Sequence, residues 1–347
     1  MKSRFDNIRT YIYTICMLIM IFDAKTTIDA GKEGILLCTY TVIPSLFPFI
    51  FISILINKYA SSIRFRVLQP TGKLLKIPKG SENVLIPGFI GGYPLGAQAV
   101  TTAWIRGDLS TPTAHRMLAF CSNAGPAFIF GMSAGIFPSI TYSWLLWMIH
   151  ILSAAITSYL FPNPKEKNQK EQNTPIPINE PLILTAVKSM ANICGWVIIS
   201  RIFLTYIENY LLKYASSTPT ILLSGCIELS NGIIGLQEIS NLGFRFILFS
   251  GFIGFGGICV LLQTATVTEP LGLGYYLQGK VIQCLISVVI ASALQCYIFQ
   301  NPYRISYPIV TYMCIFLCIF MLRSYALKKK IVAFSEELMY NDRKATE

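Results

Sequence analysis

Two charged residues sit in apolar surroundings, and they decide what chemistry this chain could do. Arg201 stands within ANICGWVIISRIFLTYIENYLL, where an unpartnered arginine at membrane depth costs roughly 2.5–3.5 kcal/mol on insertion scales. It needs a partner. A bound anion would serve, because the planar guanidinium grips a carboxylate with two hydrogen bonds. A permanent ion pair with Glu228 would also serve, as would escape of the head group to the bilayer interface. Glu228, in GCIELSNGI, is the only carboxylate in the glycine-rich motifs described below. It could neutralise Arg201, or take up a proton or cation and so couple a solute to an ion. Gln98, Ser122, Asn123, Ser230, Asn231, Gln263, Thr264 and Thr266 add neutral donors and acceptors, each of which could instead cap a half-helix end.

This is chemistry of binding and release. There is no HExxH, and His115 and His150 fall near the ends of apolar runs, where a satisfied interfacial role is the default. GYYLQGK, from Gly274 to Lys280, has P-loop spacing, but Val281 stands where the Mg-binding hydroxyl belongs and the surroundings are apolar. No catalytic residue, metal ligand or cofactor is expected.

The polar residues accompany paired glycine-rich stretches, GFIGGYPLGAQAV (88–100) and CSNAGPAFIFG (121–131) in the first half, GCIELSNGI (225–233) and GFGGICVLLQ (254–263) in the second. Small residues let helices pack closely, which is one reading. The other is that the helices break there, since backbone groups freed at membrane depth must be satisfied by protein or by a polar cavity, and paired breaks mark a solute site near the midplane. The opened turns at Gly91-Gly92, Asn123-Ala124-Gly125-Pro126 and Gly254-Phe255-Gly256-Gly257 start new half-helices, whose N-termini attract anions. Gly92, Tyr93 and Gly256 therefore join Gln98, Ser122, Asn123, Arg201, Ser230, Asn231 and Gln263 as candidate solute contacts, with Glu228 as the candidate ion-coupling residue. A small anionic or strongly polar organic solute fits that set.

Over the 347 residues, 53% are hydrophobic and only 13% charged, the composition of a polytopic membrane protein. The net charge of +11 does not imply nucleic acid, because the basic residues gather in the connections between apolar runs. All ten cysteines lie in apolar segments and behave as small hydrophobes.

Apolar length predicts spans near 9–24, 34–57, 114–137, 140–161, 186–212, 244–264, 279–299 and 305–323. Shorter segments at 84–103 and 219–238, with turn centres at Gly91-Gly92-Tyr93-Pro94 and Ser230-Asn231-Gly232, read as re-entrant hairpins. Residues 1–323 then form one all-α membrane domain of about eight transmembrane helices plus two hairpins, followed by a cytosolic tail over 324–347. Lys and Arg concentrate on the segments that stay inside when both termini are cytoplasmic, Lys280 being counted among them. In that topology the hairpins enter from opposite faces, giving an inverted repeat of about 34–137 and 186–264, joined by the polar linker 165–181. Inverted repeats around a midplane site are characteristic of alternating-access transporters. The lipid bilayer is the partner such a chain requires, a proton or cation could drive it, and homo-oligomers are allowed.

GGYPLGAQ (91–98), SNAGPAFIFG (122–131), ELSNGI (228–233) and GFGGICVLLQ (254–263), in this order, resemble the sporulation integral membrane proteins of the YlbJ type, within the wider group carrying the nucleoside-recognition Gate domain. The resemblance implies an integral protein of the cell membrane or outer forespore membrane of an endospore-forming bacterium, moving dipicolinate toward the spore. Concentrative nucleoside transporters look similar in architecture, but this chain lacks their acid-bearing first hairpin and offers Tyr93 and Gln98 instead. A nucleoside or other small-metabolite carrier, and a non-transporting sporulation scaffold, are the alternatives.

Overall fold

Apolar runs in a medium without water must satisfy their own backbone, so they become helices, and the computed structural model bears this out. It describes residues 2–59, 66–164, 181–212 and 217–298. Among the described residues there is no strand; the fold is all-α. The helices are α1 (Lys2–Phe22), α2 (Ala24–Leu37), α3 (Ile43–Tyr59), α4 (Gln69–Leu74), α5 (Leu95–Ile105), α6 (Thr111–Leu118) and α7 (Pro126–Ala134). They continue with α8 (Ile140–Leu160), α9 (Leu182–Tyr206), α10 (Ser217–Ile227), α11 (Leu229–Gly235), α12 (Leu242–Phe255), α13 (Gly257–Val267) and α14 (Gly274–Ile298). The expected span at 305–323 and the tail at 324–347 lie outside the described residues.

Among the described residues, five stretches are long and apolar enough to cross a membrane: Ala24–Ile56, Ile140–Leu160, Leu182–Tyr210, Leu242–Val267 and Gly274–Gln295. The first begins ten residues earlier than the expected 34–57. Polar residues in AKTTIDAGKEG are tolerated there because Asp23 caps α2 by accepting from Thr26 N. Opposite them, Thr27 and Glu33 find partners on α9. A π-helical turn at Cys38–Val42 carries α2 into α3.

The expected span 114–137 is interrupted. Residues 119–125 leave the helix, and α7 restarts at Pro126, which has no amide to donate to a preceding turn. The second interruption is shorter. Gly256 (φ 84) and Gly257 (φ 83) are both left-handed, a conformation that costs little only without a Cβ, and they separate α12 from α13.

Each half also contains a helix that doubles back. A π-turn at Pro87–Gly91 ends at Gly92 (φ 92), the chain reverses through Tyr93 and Pro94, and α5 returns. α10 and α11 form the second reversal. Its break is at Glu228, not at Ser230-Asn231-Gly232, which lie inside α11 because the Glu228 carboxylate caps that helix. Glycine is needed at the crossings: a Cβ on Gly96 would collide with Gly88 and the Cys121 carbonyl, and one on Gly232 would collide with Gly225.

The first long helices of the two halves run antiparallel. Thr27 meets Tyr206, Glu33 meets Arg201 and Cys38 meets Cys194, so rising numbers along α2 and into the π-helical turn face falling numbers on α9. Long helix, hairpin and interrupted helix thus occur in the same order twice, with the leading helices opposed.

Candidate functional site

The two hairpin tips and the two interrupted helices converge on one cavity. From the first half it is lined by Leu46, Tyr93, Ala124, Gly125 and Phe128, and from the second by Ile193, Val197, Glu228, Ser230, Val260 and Gln263, among others. Its volume is about 40 Å³, close to the space of a single water. A larger cavity of about 660 Å³ lies between α1 and α9, lined by Ile19, Phe22, Phe203 and Tyr206. It adjoins exposed apolar residues of both helices, a surface that a bilayer would cover.

Tyr93 ties the halves together. Its buried hydroxyl donates to the Ile253 carbonyl at 2.7 Å, one turn before the α12–α13 break. Its ring also faces Lys280, whose ammonium lies 5.1 Å from the ring centroid. Glu228, 3% exposed, sits at the tip of the second hairpin and accepts from Asn231 N at 2.8 Å. The carboxyl group therefore sits at the positive end of α11. The N-termini of α5, α7 and α13 carry no side-chain cap, and Gly125, Phe128, Val260 and Gln263 bring two of them to the cavity wall. Uncapped half-helix N-termini leave amides free to meet an anion.

Of the residues singled out from sequence, Tyr93, Glu228, Ser230 and Gln263 line the cavity together. Gly92 and Gly256 lie in the backbone on either side of Tyr93; a Cβ on Gly256 would rest 3.5 Å from the Tyr93 ring. Ser122 and Asn123 belong to the first break but do not line the cavity. The Asn123 amide donates to the Gly88 and Phe120 carbonyls, whereas Ser122 Oγ is buried and unpartnered among the described residues. Asn231 Nδ2 is likewise unpartnered. Gln98 lies on α5 away from the lining.

Arg201 is also elsewhere. Its guanidinium contacts Glu33 at 2.6 Å and Glu208 at 3.4 Å, and Glu208 in turn accepts from Ser224 on α10 at 3.2 Å. The sequence-based pairing with Glu228 is not the one formed. The reason is register: antiparallel α2 brings Glu33 opposite Arg201, and the π-turn after α9 brings Glu208 back beneath it.

Sequence reasoning missed a buried polar cluster behind Tyr93. Lys280, counted with the cytoplasmic connections, is 1% exposed inside α14, which starts at Gly274 and not at 279. Lys280 Nζ donates to Ser122 O and to Gln283 Oε1, both at 2.5 Å. Gln283 Nε2 donates to Asn123 Oδ1 at 2.9 Å. His150, read as interfacial, is also 1% exposed, and its Nε2 accepts from Ala124 N at 2.9 Å within the first break. The signal was present in the spacing: Lys280, Gln283 and Ser287 recur every three to four residues and share one face of α14. Arg116 is buried as well and donates to the carbonyls of Leu75, Lys76, Ser158 and Phe161.

No family model and no solved structure matches the chain. It is similar to the sporulation integral membrane protein YlbJ of Bacillus subtilis (strain 168), with 23% identity over 290 residues, covering 70% of this chain and 71% of the relative. The interrupted apolar helices and this similarity agree, and the resemblance to YlbJ-type sporulation integral membrane proteins is borne out.

Proposed function

We propose that this protein is a secondary transporter of a small organic anion, working by alternating access between its two halves during sporulation. The observation that carries the reading is the shared cavity: Tyr93 and Gly125 from one half and Glu228 and Gln263 from the other border the same space. Two discontinuous elements meeting at one point are what a gated midplane site requires. The uncapped N-termini of α7 and α13 favour negative charge in the solute. Dipicolinate is the substrate we favour, because the relative at 23% identity is named a sporulation membrane protein and a planar dicarboxylate suits opposed helix N-termini. The outer forespore membrane, with both termini cytoplasmic, is the location consistent with that substrate and with the distribution of Lys and Arg.

At about 40 Å³ the cavity holds water and not a dicarboxylate, since small-molecule sites run to roughly 300 Å³ or more. In this reading the structure is the closed state, and the Tyr93–Ile253 contact must part to admit solute. The same small volume favours a second reading, a sporulation scaffold that carries nothing.

Proteoliposomes holding the purified protein, supplied with radiolabelled dipicolinate, test the proposal. Saturable uptake above protein-free vesicles is expected. Uptake of uridine in its place would move the assignment to a nucleoside carrier, and no uptake of either would leave the scaffold.

A further inference from the structure

We propose that the Lys280 ammonium is a tethered cation, filling a monovalent-cation site that the chain builds from its own oxygens at the α6–α7 break. The transport consequence rests on the proposed function; the site itself rests on geometry.

Three oxygens face Nζ: the Ser122 carbonyl at 2.5 Å, Gln283 Oε1 at 2.5 Å and Asn123 Oδ1 at 3.5 Å. The rings of Tyr93 and Tyr276 complete the shell, with centroids at 5.1 and 5.8 Å. Neutral oxygens and aromatic faces are the ligands a weakly solvated monovalent cation accepts. No carboxylate pairs with Lys280 among the described residues, so the site compensates a single positive charge with dipoles alone. A divalent ion there would lack the anionic ligands its charge demands.

The amide orientations follow from the hydrogen bonds. Asn123 spends its NH₂ on Gly88 O and Phe120 O, which leaves Oδ1 for Gln283 Nε2 and Lys280. Gln283 then has Oε1 left for Nζ. Both amide oxygens are aimed inward by the bonds that their own NH₂ groups make. The Ser122 carbonyl is one that the helix interruption sets free, and an unsatisfied carbonyl at that depth would be costly. A soluble ion could satisfy it; here a side chain does.

The consequence is that the first half needs neither Na⁺ nor K⁺ to hold its break together. Any driving ion must act elsewhere in the cycle, and Glu228 is the acid available at the cavity.

Thermal melting of the detergent-purified full chain in NaCl, KCl and choline chloride at equal ionic strength tests the inference. The wild type is expected to melt at one temperature in all three. Lys280→Ala is expected to melt several degrees lower in choline and to recover at least half the loss in Na⁺, K⁺ or methylammonium. Lys280→Ser serves where the alanine variant does not fold. A wild type stabilised by Na⁺ or K⁺ over choline, or variants indifferent to every cation, would overturn the assignment. Melting does not depend on transport, so this result and the uptake result can fail separately.

Discussion

The Tyr93 hydroxyl of the first hairpin donates to the Ile253 carbonyl of the second interrupted helix at 2.7 Å, across 160 positions of sequence. It is the direct polar bond by which the tip of one half holds the break of the other. Tyr93→Phe leaves a buried carbonyl short of a donor, a loss of about 1–3 kcal/mol. The variant should melt earlier and take up solute with a changed maximal rate. A melting temperature equal to wild type would show that this contact does not hold the closed form.

Glu228 separates stability from coupling. Glu228→Ala removes the α11 cap and should cost about 0.5–2 kcal/mol, whereas Glu228→Gln keeps an acceptor for Asn231 N. If Glu228 carries the driving proton or cation, the Gln variant loses gradient-driven accumulation but still exchanges internal for external solute. Full accumulation by Glu228→Gln would remove this residue from coupling.

Arg201 is engaged by Glu33 and Glu208, 21% exposed and away from the cavity. Arg201→Ala should reduce stability by roughly 1 kcal/mol, as for a partly exposed pair, and leave the solute KM unchanged. The exchange Arg201→Glu with Glu33→Arg should restore part of the loss. A large rise in KM in Arg201→Ala would return this residue to the solute site.

Ser122 Oγ is buried without a partner among the described residues, so Ser122→Ala should be neutral in melting or slightly stabilising. Weaker dipicolinate binding by calorimetry, at unchanged stability, would identify the hydroxyl as a solute contact. Unchanged binding would exclude it.

Gly96→Ala and Gly232→Ala place a methyl where each hairpin crosses itself. Both should lower the yield of folded protein, since overpacking costs about 1–3 kcal/mol or more where backbone cannot move. Two variants that fold and melt like wild type would be incompatible with the crossings as described.

The apolar runs made the fold class legible, and the helix-breaking glycines and Pro126 made both interruptions legible. These are local properties: run length and backbone permissiveness. The register between distant helices was not legible, which is why Arg201 was weighed against Glu228 when Glu33 and Glu208 are its partners. Lys280 was misread for a related reason. A basic residue six positions into a helix looks like a loop cation until Ser122 and Gln283 are seen to receive it. Glu228 was legible as a special acid, but its capping role depends on where α11 starts, a boundary that periodicity does not set.

Gly88 against Gly96 and Gly225 against Gly232 bring backbone to backbone with no side chain between. Each hairpin is therefore welded at its waist and would travel as a stiff wedge. In the proposed transport cycle, exposure of the interior to one compartment or the other would come from whole-body displacement of these wedges against their neighbours.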